Sequence, residues 1–145
     1  MTKKTFSKML SANDVGSTGG HQGGILVPKS EAELLAFLPH LDPAVKNPDA
    51  WIECEDEVGG LRRFRFVYYN NRLHDPNGTR NEYRITYMTK YFREVRAREG
   101  DTFEISREEG SRYKIRIVRP IAESVTPQDE KAFRIRITSG WSRVH

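Results

Sequence analysis

The chain has 145 residues, 37% hydrophobic and 30% charged, with a formal net charge of +4. That length suits one domain with a single sizeable core, and the composition is that of a folded chain rather than a disordered one. No apolar run approaches the ~20 residues a membrane-spanning helix requires, so no membrane partner is expected.

Lys3, Lys4 and Lys8 are followed by no apolar segment, so no signal peptide is read. The lone cysteine, Cys54, excludes an internal disulfide and fits a reducing cytoplasm; it reads as a small core residue.

In chain order, the first feature is a glycine-rich stretch from Leu10 to Gly24, followed by a short apolar strand, Gly24–Pro28. Ser30 with Glu33 has the spacing of a capping box, and Leu34, Leu35, Phe37 and Leu38 form an apolar stripe ending near Pro39, which predicts a helix. Strands are expected at Trp51–Glu55, Leu61–Tyr69 and Arg80–Tyr87, with a turn over Asp75–Gly78. A second helix is expected from about Thr89 to Glu99, with Tyr91, Phe92 and Val95 inward and Gly100 as its C-cap. Three more strands follow at Thr102–Ser106, Arg112–Val118 and Phe133–Thr138. In the last two, Tyr113, Ile115, Ile117, Phe133, Ile135 and Ile137 face one way and the basic residues between them face the other. That alternation predicts a half-buried antiparallel sheet with a basic outer face. Seven strands and two short helices, with no internal repeat or low-complexity linker, point to a mainly β, partly open barrel forming one domain over residues 1–145.

Charge is unevenly spread. Residues 1–61 hold 5 basic and 9 acidic side chains, residues 62–98 hold 10 and 3, and residues 99–145 hold 9 and 8. An arginine-dominated local excess is the footprint of a phosphate-rich partner, although a solvated basic surface would show the same imbalance.

Two stretches carry chemistry. Leu10–Gly24 contains five glycines within nine positions, interleaved with Ser11, Asn13, Asp14, Ser17, Thr18, His21 and Gln22. Glycine lets backbone approach a ligand closely, and these side chains suit phosphates or base edges; a flexible loop is the plain alternative. No lysine stands where a phosphate-binding P-loop needs one, so no nucleotide cofactor is expected. The second stretch runs from Tyr68 to Thr86 and contributes Arg72, Asn77, Arg80, Asn81, Glu82 and Arg84. Residues 80, 82 and 84 share one strand face. Guanine O6 and N7 suit an arginine fork, and cytosine N4 suits a carboxylate, so the triple fits G·C pairs read from the major groove. A self-neutralised surface ladder fits the same three residues.

Catalysis finds little support. The Asp/Glu-x-Lys tripeptide that metal-dependent restriction nucleases use occurs once, at Asp129-Glu130-Lys131, between the Thr126-Pro127 turn and the strand expected at Phe133–Thr138. Glu53, Glu55, Asp56 and Glu57 read as a solvated strand end, and His21, His40, His74 and His145 are scattered without zinc-ligand spacing to Cys54. No metal or catalytic residue is assigned.

Leu10-Ser-Ala-Asn-Asp-x-Gly-x-Thr-Gly-Gly-His-Gln, Tyr68-Tyr-Asn and Thr79-Arg-Asn-Glu-x-Arg-Ile-Thr86 together resemble the N-terminal, effector domain of EcoRII-type restriction endonucleases, over about residues 8–90. Later strands are similar to those of the wider DNA-binding pseudobarrel family. The resemblance implies a seven-stranded DNA-binding pseudobarrel, in DNA-associated form in a prokaryotic cytoplasm. Two arms, at about residues 11–24 and 77–87, would grip double-stranded DNA in the major groove at a CC(A/T)GG-like site. In that family the domain is fused to a separate nuclease domain, so this chain is expected to be either a fragment of such a protein or a stand-alone module, in both cases not itself an enzyme and needing no cofactor. The DNA-binding residues expected on this basis are Ser11, Asn13, Asp14, His21, Gln22, Arg72, Asn77, Arg80, Asn81, Glu82 and Arg84. One member of that family carries lysines where this chain has Gly78 and Tyr83. Two other readings stay open: a stand-alone nuclease, and a small barrel binding RNA or single strands through Tyr68, Tyr69, Tyr83 and Tyr87. The barrel is expected to fold without residues 1–20.

Overall fold

Period-two alternation sorts the side chains of this chain onto two faces of one curled sheet. A computed structural model describes residues 3–16, 24–120 and 140–144. Among them are eight strands and three short helices: β1 (Lys3–Met9), β2 (Ile25–Val27), α1 (Ala32–Phe37), β3 (Asp49–Glu55), β4 (Leu61–Tyr69), α2 (Asn71–His74), β5 (Glu82–Thr86), α3 (Thr89–Glu94), β6 (Thr102–Glu108), β7 (Tyr113–Val118) and β8 (Trp141–Arg143). The strands form a single sheet in the order β2-β5-β4-β3-β7-β6-β1-β8. Its edges meet through a side chain: Trp141 Nε1 on β8 donates to the Leu26 carbonyl of β2 at 3.0 Å. The result is the expected mainly β pseudobarrel, open along one seam.

Inside lie Phe64 and Phe66 of β4, Ile85 of β5, and Phe103 and Ile105 of β6, each no more than 1% exposed. Two helices close over them. Phe37 of α1 packs against Phe6 and Tyr113, with ring centroids 4.9 and 5.2 Å away, and the Tyr113 hydroxyl donates to the Phe37 carbonyl at 2.8 Å. Tyr91 and Phe92 of α3 pack on Phe64 and Phe103. Aromatic rings in tilted and edge contacts therefore dominate the core. Cys54 is fully buried, and burial pushes its thiol up to about 12, so it stays protonated and inert.

Several expectations need correction. The sheet is not wholly antiparallel, because β3 and β7 run parallel where Cys54 meets Tyr113 and Glu55 meets Lys114. A parallel pair needs a long connection, and the excursion through β4, β5 and β6 supplies it. β1, β8 and α2 went unread: β1 is lysine-rich with Phe6 as its one aromatic, and the other two span three and four residues. β1 pairs with β6 along its whole length and with β8 on its other side, and it buries Phe6. Removing residues 1–20 would therefore take out a strand paired on both sides, which overturns the expectation of a folded truncation. The strand expected at Phe133–Thr138 lies outside the described residues.

Boundaries also shift. α1 begins at Ala32 after Glu31, with no side-chain cap from Ser30 or Glu33. α3 ends at Glu94 rather than Glu99, because Arg96 takes a left-handed conformation (φ 56°) and the Ala97 N–H closes back on the Phe92 carbonyl at 2.8 Å. Gly100 instead donates its N–H to the Leu10 carbonyl. The acidic cluster is not simply solvated. Asp56 is buried and accepts from Val58 N–H (3.1 Å), Gly60 N–H (2.8 Å) and Arg62 Nε (2.9 Å). Glu57 accepts from the Tyr91 hydroxyl and the Ile117 N–H. These carboxylates fasten turns and strands together.

Candidate nucleic-acid interface

The segment linking β4 to β5 is built on Asn70, which is fully buried at the end of β4. Its Oδ1 accepts from the Asn47 N–H at 2.7 Å, and its own N–H donates to Asn47 Oδ1 at 3.1 Å. Its Nδ2 donates to the carbonyls of Val45 (2.8 Å) and Pro43 (3.2 Å). One amide side chain thus ties the preceding 42–48 loop to the base of the segment. α2 follows, and Gly78 returns hard against it. A β-carbon at Gly78 would lie 2.2 Å from the Asn71 carbonyl oxygen, so no side chain fits there. The departure from lysine at this position is thereby explained.

Arg80 and Asn81 precede β5 rather than belonging to it. The Arg80 backbone is used by α2: its N–H donates to Asn71 Oδ1 at 2.8 Å and its carbonyl accepts from the Arg72 N–H at 3.0 Å. Within β5, Tyr83 and Ile85 turn inward. Tyr83 stacks on Tyr68 with ring centroids 4.1 Å apart and ring planes nearly parallel. Glu82, Arg84 and Thr86 fall on the opposite, outer face, beside Tyr69, Val67 and Arg65 of β4. Tyr83 therefore serves packing.

The three charged residues form one unit. Glu82 Oε2 accepts from Arg84 Nε at 2.5 Å and from Arg80 Nη2 at 3.1 Å. Glu82 Oε1 accepts nothing among the described residues, and neither do the two Nη groups of Arg84 donate there. The Arg80 guanidinium also lies over the Tyr69 ring, 3.8 Å from its centroid. Burial pushes the Glu82 carboxyl up, but the hydrogen bonds and charges of Arg84 and Arg80 outweigh it and hold it below the usual range. The surface ladder envisaged from sequence is thus present in the unbound chain, with a free carboxylate oxygen and free guanidinium edges still facing outward.

The glycine-rich segment is described only at its base. Ser11 and Asp14 cap each other: the Asp14 N–H donates to Ser11 Oγ at 3.1 Å and the Ser11 N–H to Asp14 Oδ2 at 2.9 Å. Lys8 Nζ joins the same carboxylate oxygen at 2.5 Å, and Asp14 is 6% exposed. Both side chains hold the loop base, a role their sequence context did not signal. Asn13 is exposed beside them, while His21 and Gln22 lie outside the described residues. The Gly24 N–H donates to the Asp14 carbonyl at 3.0 Å, so the loop leaves and returns at one point. A β-carbon on Gly24 would sit 2.9 Å from the Ile85 carbonyl, which sets this point directly on β5. The structure therefore brings the loop base to the Ile85–Thr86 end of β5, next to the Arg84 end of the row. Arg72 and Asn77 are exposed on the α2 side, and the Asn81 Oδ1 accepts from the Tyr68 hydroxyl at 2.5 Å. Tyr69 and Asn70 were missed as functional supports. The only sequence signal for them was the Tyr-Tyr-Asn block.

Residues 2–100 match the family model described as "Restriction endonuclease EcoRII, N-terminal". The chain belongs to the EcoRII N-terminal domain family. Consistent with that membership, it is 37% identical over 89 residues to the Type II restriction enzyme EcoRII of Escherichia coli, a match spanning 56% of this chain and 20% of that enzyme. Among solved structures, the B3 domain of the UbaLAI restriction endonuclease with cognate DNA aligns with a TM-score of 0.57 at 19% identity, covering 97% of this chain and 86% of that one. An Arabidopsis FUS3–DNA complex aligns at 0.59 and 23% identity, covering 79% and 96%. The N-terminal domain of Helicobacter pylori LlaJI.R1 aligns at 0.53 and 8% identity, covering 98% of each. These structural likenesses establish a shared B3-like fold for this member of the EcoRII N-terminal family.

Proposed function

We propose that this chain is the sequence-specific duplex-DNA-recognition domain of a restriction endonuclease, with the cleaving site in another part of the protein. The observation that carries the reading is the row Arg80–Glu82–Arg84, held rigid yet with outward donors and an acceptor free. Its N-terminal arm (about residues 11–24) and C-terminal arm (about residues 77–87) enter the major groove on either side of a CC(A/T)GG-like site. Arg80 and Arg84 meet guanine O6 and N7, and Glu82 Oε1 accepts from cytosine N4. Asn13, His21, Gln22, Arg72, Asn77 and Asn81 add base or backbone contacts, while Ser11 and Asp14 act from behind by fixing the arm's base.

A single-strand binder would need open aromatic platforms. Tyr68 and Tyr83 stack on each other and Tyr69 lies beneath Arg80, leaving Tyr87 as the one exposed ring of the four, which supports the duplex reading. The buried or bonded state of Asp56 and Glu57 likewise supports recognition rather than cleavage by this chain. A gel shift with a randomised duplex library tests the reading. The expected result is enrichment of CC(A/T)GG-like sequences; retention of all sequences alike, or preference for single strands, would overturn it. Incubation with supercoiled plasmid and magnesium is expected to leave the plasmid intact.

A further inference from the structure

The outer face of β5 does not end at Arg84. Thr86 continues it, and beside Thr86 opens a cleft of about 470 Å³ lined by Arg65, Tyr69, Thr86, Tyr87, Thr89 and Lys90. Among the described residues, two cations and four hydroxyl-bearing side chains line it, and no carboxylate does. Lys90 is exposed and makes no ion pair among the described residues. Arg65 gives its Nε to Asp49 at 2.5 Å, behind the cleft, and so is anchored as a fixed cation whose guanidinium edge remains. Tyr87 is 62% exposed, holds a left-handed backbone (φ 66°) and braces its ring edge-on against Trp51 at 5.0 Å. A non-glycine, bulky residue kept in that conformation is uncommon and marks a position where the chain is constrained.

We infer that this cleft binds a phosphate group, and that the phosphate is one of the duplex backbone flanking the recognised bases. The inference rests on the duplex-recognition reading above. Ammonium, guanidinium and hydroxyl donors are the groups that hold phosphate oxygens. Placement favours the duplex over a free anion. Thr86 stands two residues beyond Arg84 on the same face, about 7 Å along the strand. One DNA strand advances about 3.4 Å per nucleotide, so the cleft lies roughly two nucleotides outside the base-reading row. A contact there would lengthen the footprint without reading sequence.

The test uses the full chain with Lys90→Gln, which changes an exposed side chain that makes no ion pair among the described residues. Binding is measured by fluorescence anisotropy across a salt series. One duplex is a long one with the preferred site, one is the same duplex trimmed to lack the flanking nucleotides, and one is a scrambled long duplex. For Lys90→Gln, affinity for both long duplexes should fall by a similar factor, roughly three- to ten-fold, and the log–log salt slope should shrink by about 0.9. On the trimmed duplex the variant and the wild type should coincide. Unchanged affinity for the long duplexes, or a loss confined to the preferred site, would overturn the proposal. So would Lys90-dependent binding of inorganic phosphate alone, without any effect on the long duplexes, since it would make the cleft a small-anion site. If the wild type fails to distinguish preferred from scrambled duplexes, it is the recognition reading that fails, and the Lys90 comparison can still be read on either long duplex.

Discussion

Tyr69 acts through another residue. Its ring sits under the Arg80 guanidinium at 3.8 Å, so that Arg80 is held by Tyr69 from below and by Glu82 from the side. Cation–π contacts of this sort are worth roughly 0.5–2 kcal/mol, which is enough to fix a long side chain that would otherwise sample many rotamers. Tyr69→Leu should lower the ratio of preferred to scrambled binding several-fold while leaving thermal stability close to wild type, and Tyr69→Phe should restore the ratio. Equal ratios in all three proteins would show that the ring does not position Arg80. Titration adds a second check on the same row. The folded Glu82 lies below its ordinary value of 4.5, so its ion pairs contribute fully above that value and are lost as pH falls through the lowered one. Discrimination should therefore be flat from pH 8 to about 5 and decline only under more acidic conditions. A midpoint near neutrality would mean that Glu82 is not the group involved. Residue types and spacing were enough to find Arg80, Glu82 and Arg84, because a two-residue period survives in any strand. They did not reveal that Ser11 and Asp14 spend their polar atoms on each other, since a capping pair and a ligand pair use the same side chains.

At the scale of elements, the C-terminal arm depends on a residue remote from its tip. Asn70, itself fully buried, satisfies a backbone N–H and two backbone carbonyls of the 42–48 loop. Asn70→Ala would orphan them, and unfolding should become easier by about 2–3 kcal/mol, measurable by urea denaturation. An effect under ~0.5 kcal/mol would contradict the bracing role. Strand positions from β4 to β7 were legible because aromatic and β-branched residues alternate there. β1 was not, because pairing on both sides rather than apolar content holds it in place. The start of β5 shifted for a related reason: Asn71 and Arg72 take up the Arg80 backbone before the ladder begins. α3 stopped early because a non-glycine residue, Arg96, adopted the capping conformation usually expected of glycine.

At the scale of the whole molecule, the basic excess of residues 62–98 is smaller than its count suggests. Of its ten cations, Arg62, Arg65, Arg80 and Arg84 are already paired with carboxylates. The salt dependence of duplex binding should therefore have a log–log slope clearly shallower than the roughly −9 that ten phosphate contacts would give. A flat response would remove the electrostatic component altogether. The partly open barrel was legible in the strand pattern, but the β3–β7 parallel junction and the Trp141 seam were not, because both join residues far apart in the chain. The central claim, that Arg80, Glu82 and Arg84 read bases, is tested most directly by measuring the affinity of Arg80→Ala, Glu82→Ala and Arg84→Ala for preferred and scrambled duplexes at one salt concentration. Each substitution should reduce preferred-site discrimination by about 1–3 kcal/mol, and Glu82→Ala should bind the scrambled duplex as well as or better than wild type, having lost a negative charge. Equal losses on both duplexes for all three variants would contradict the claim and reduce the row to a set of phosphate contacts.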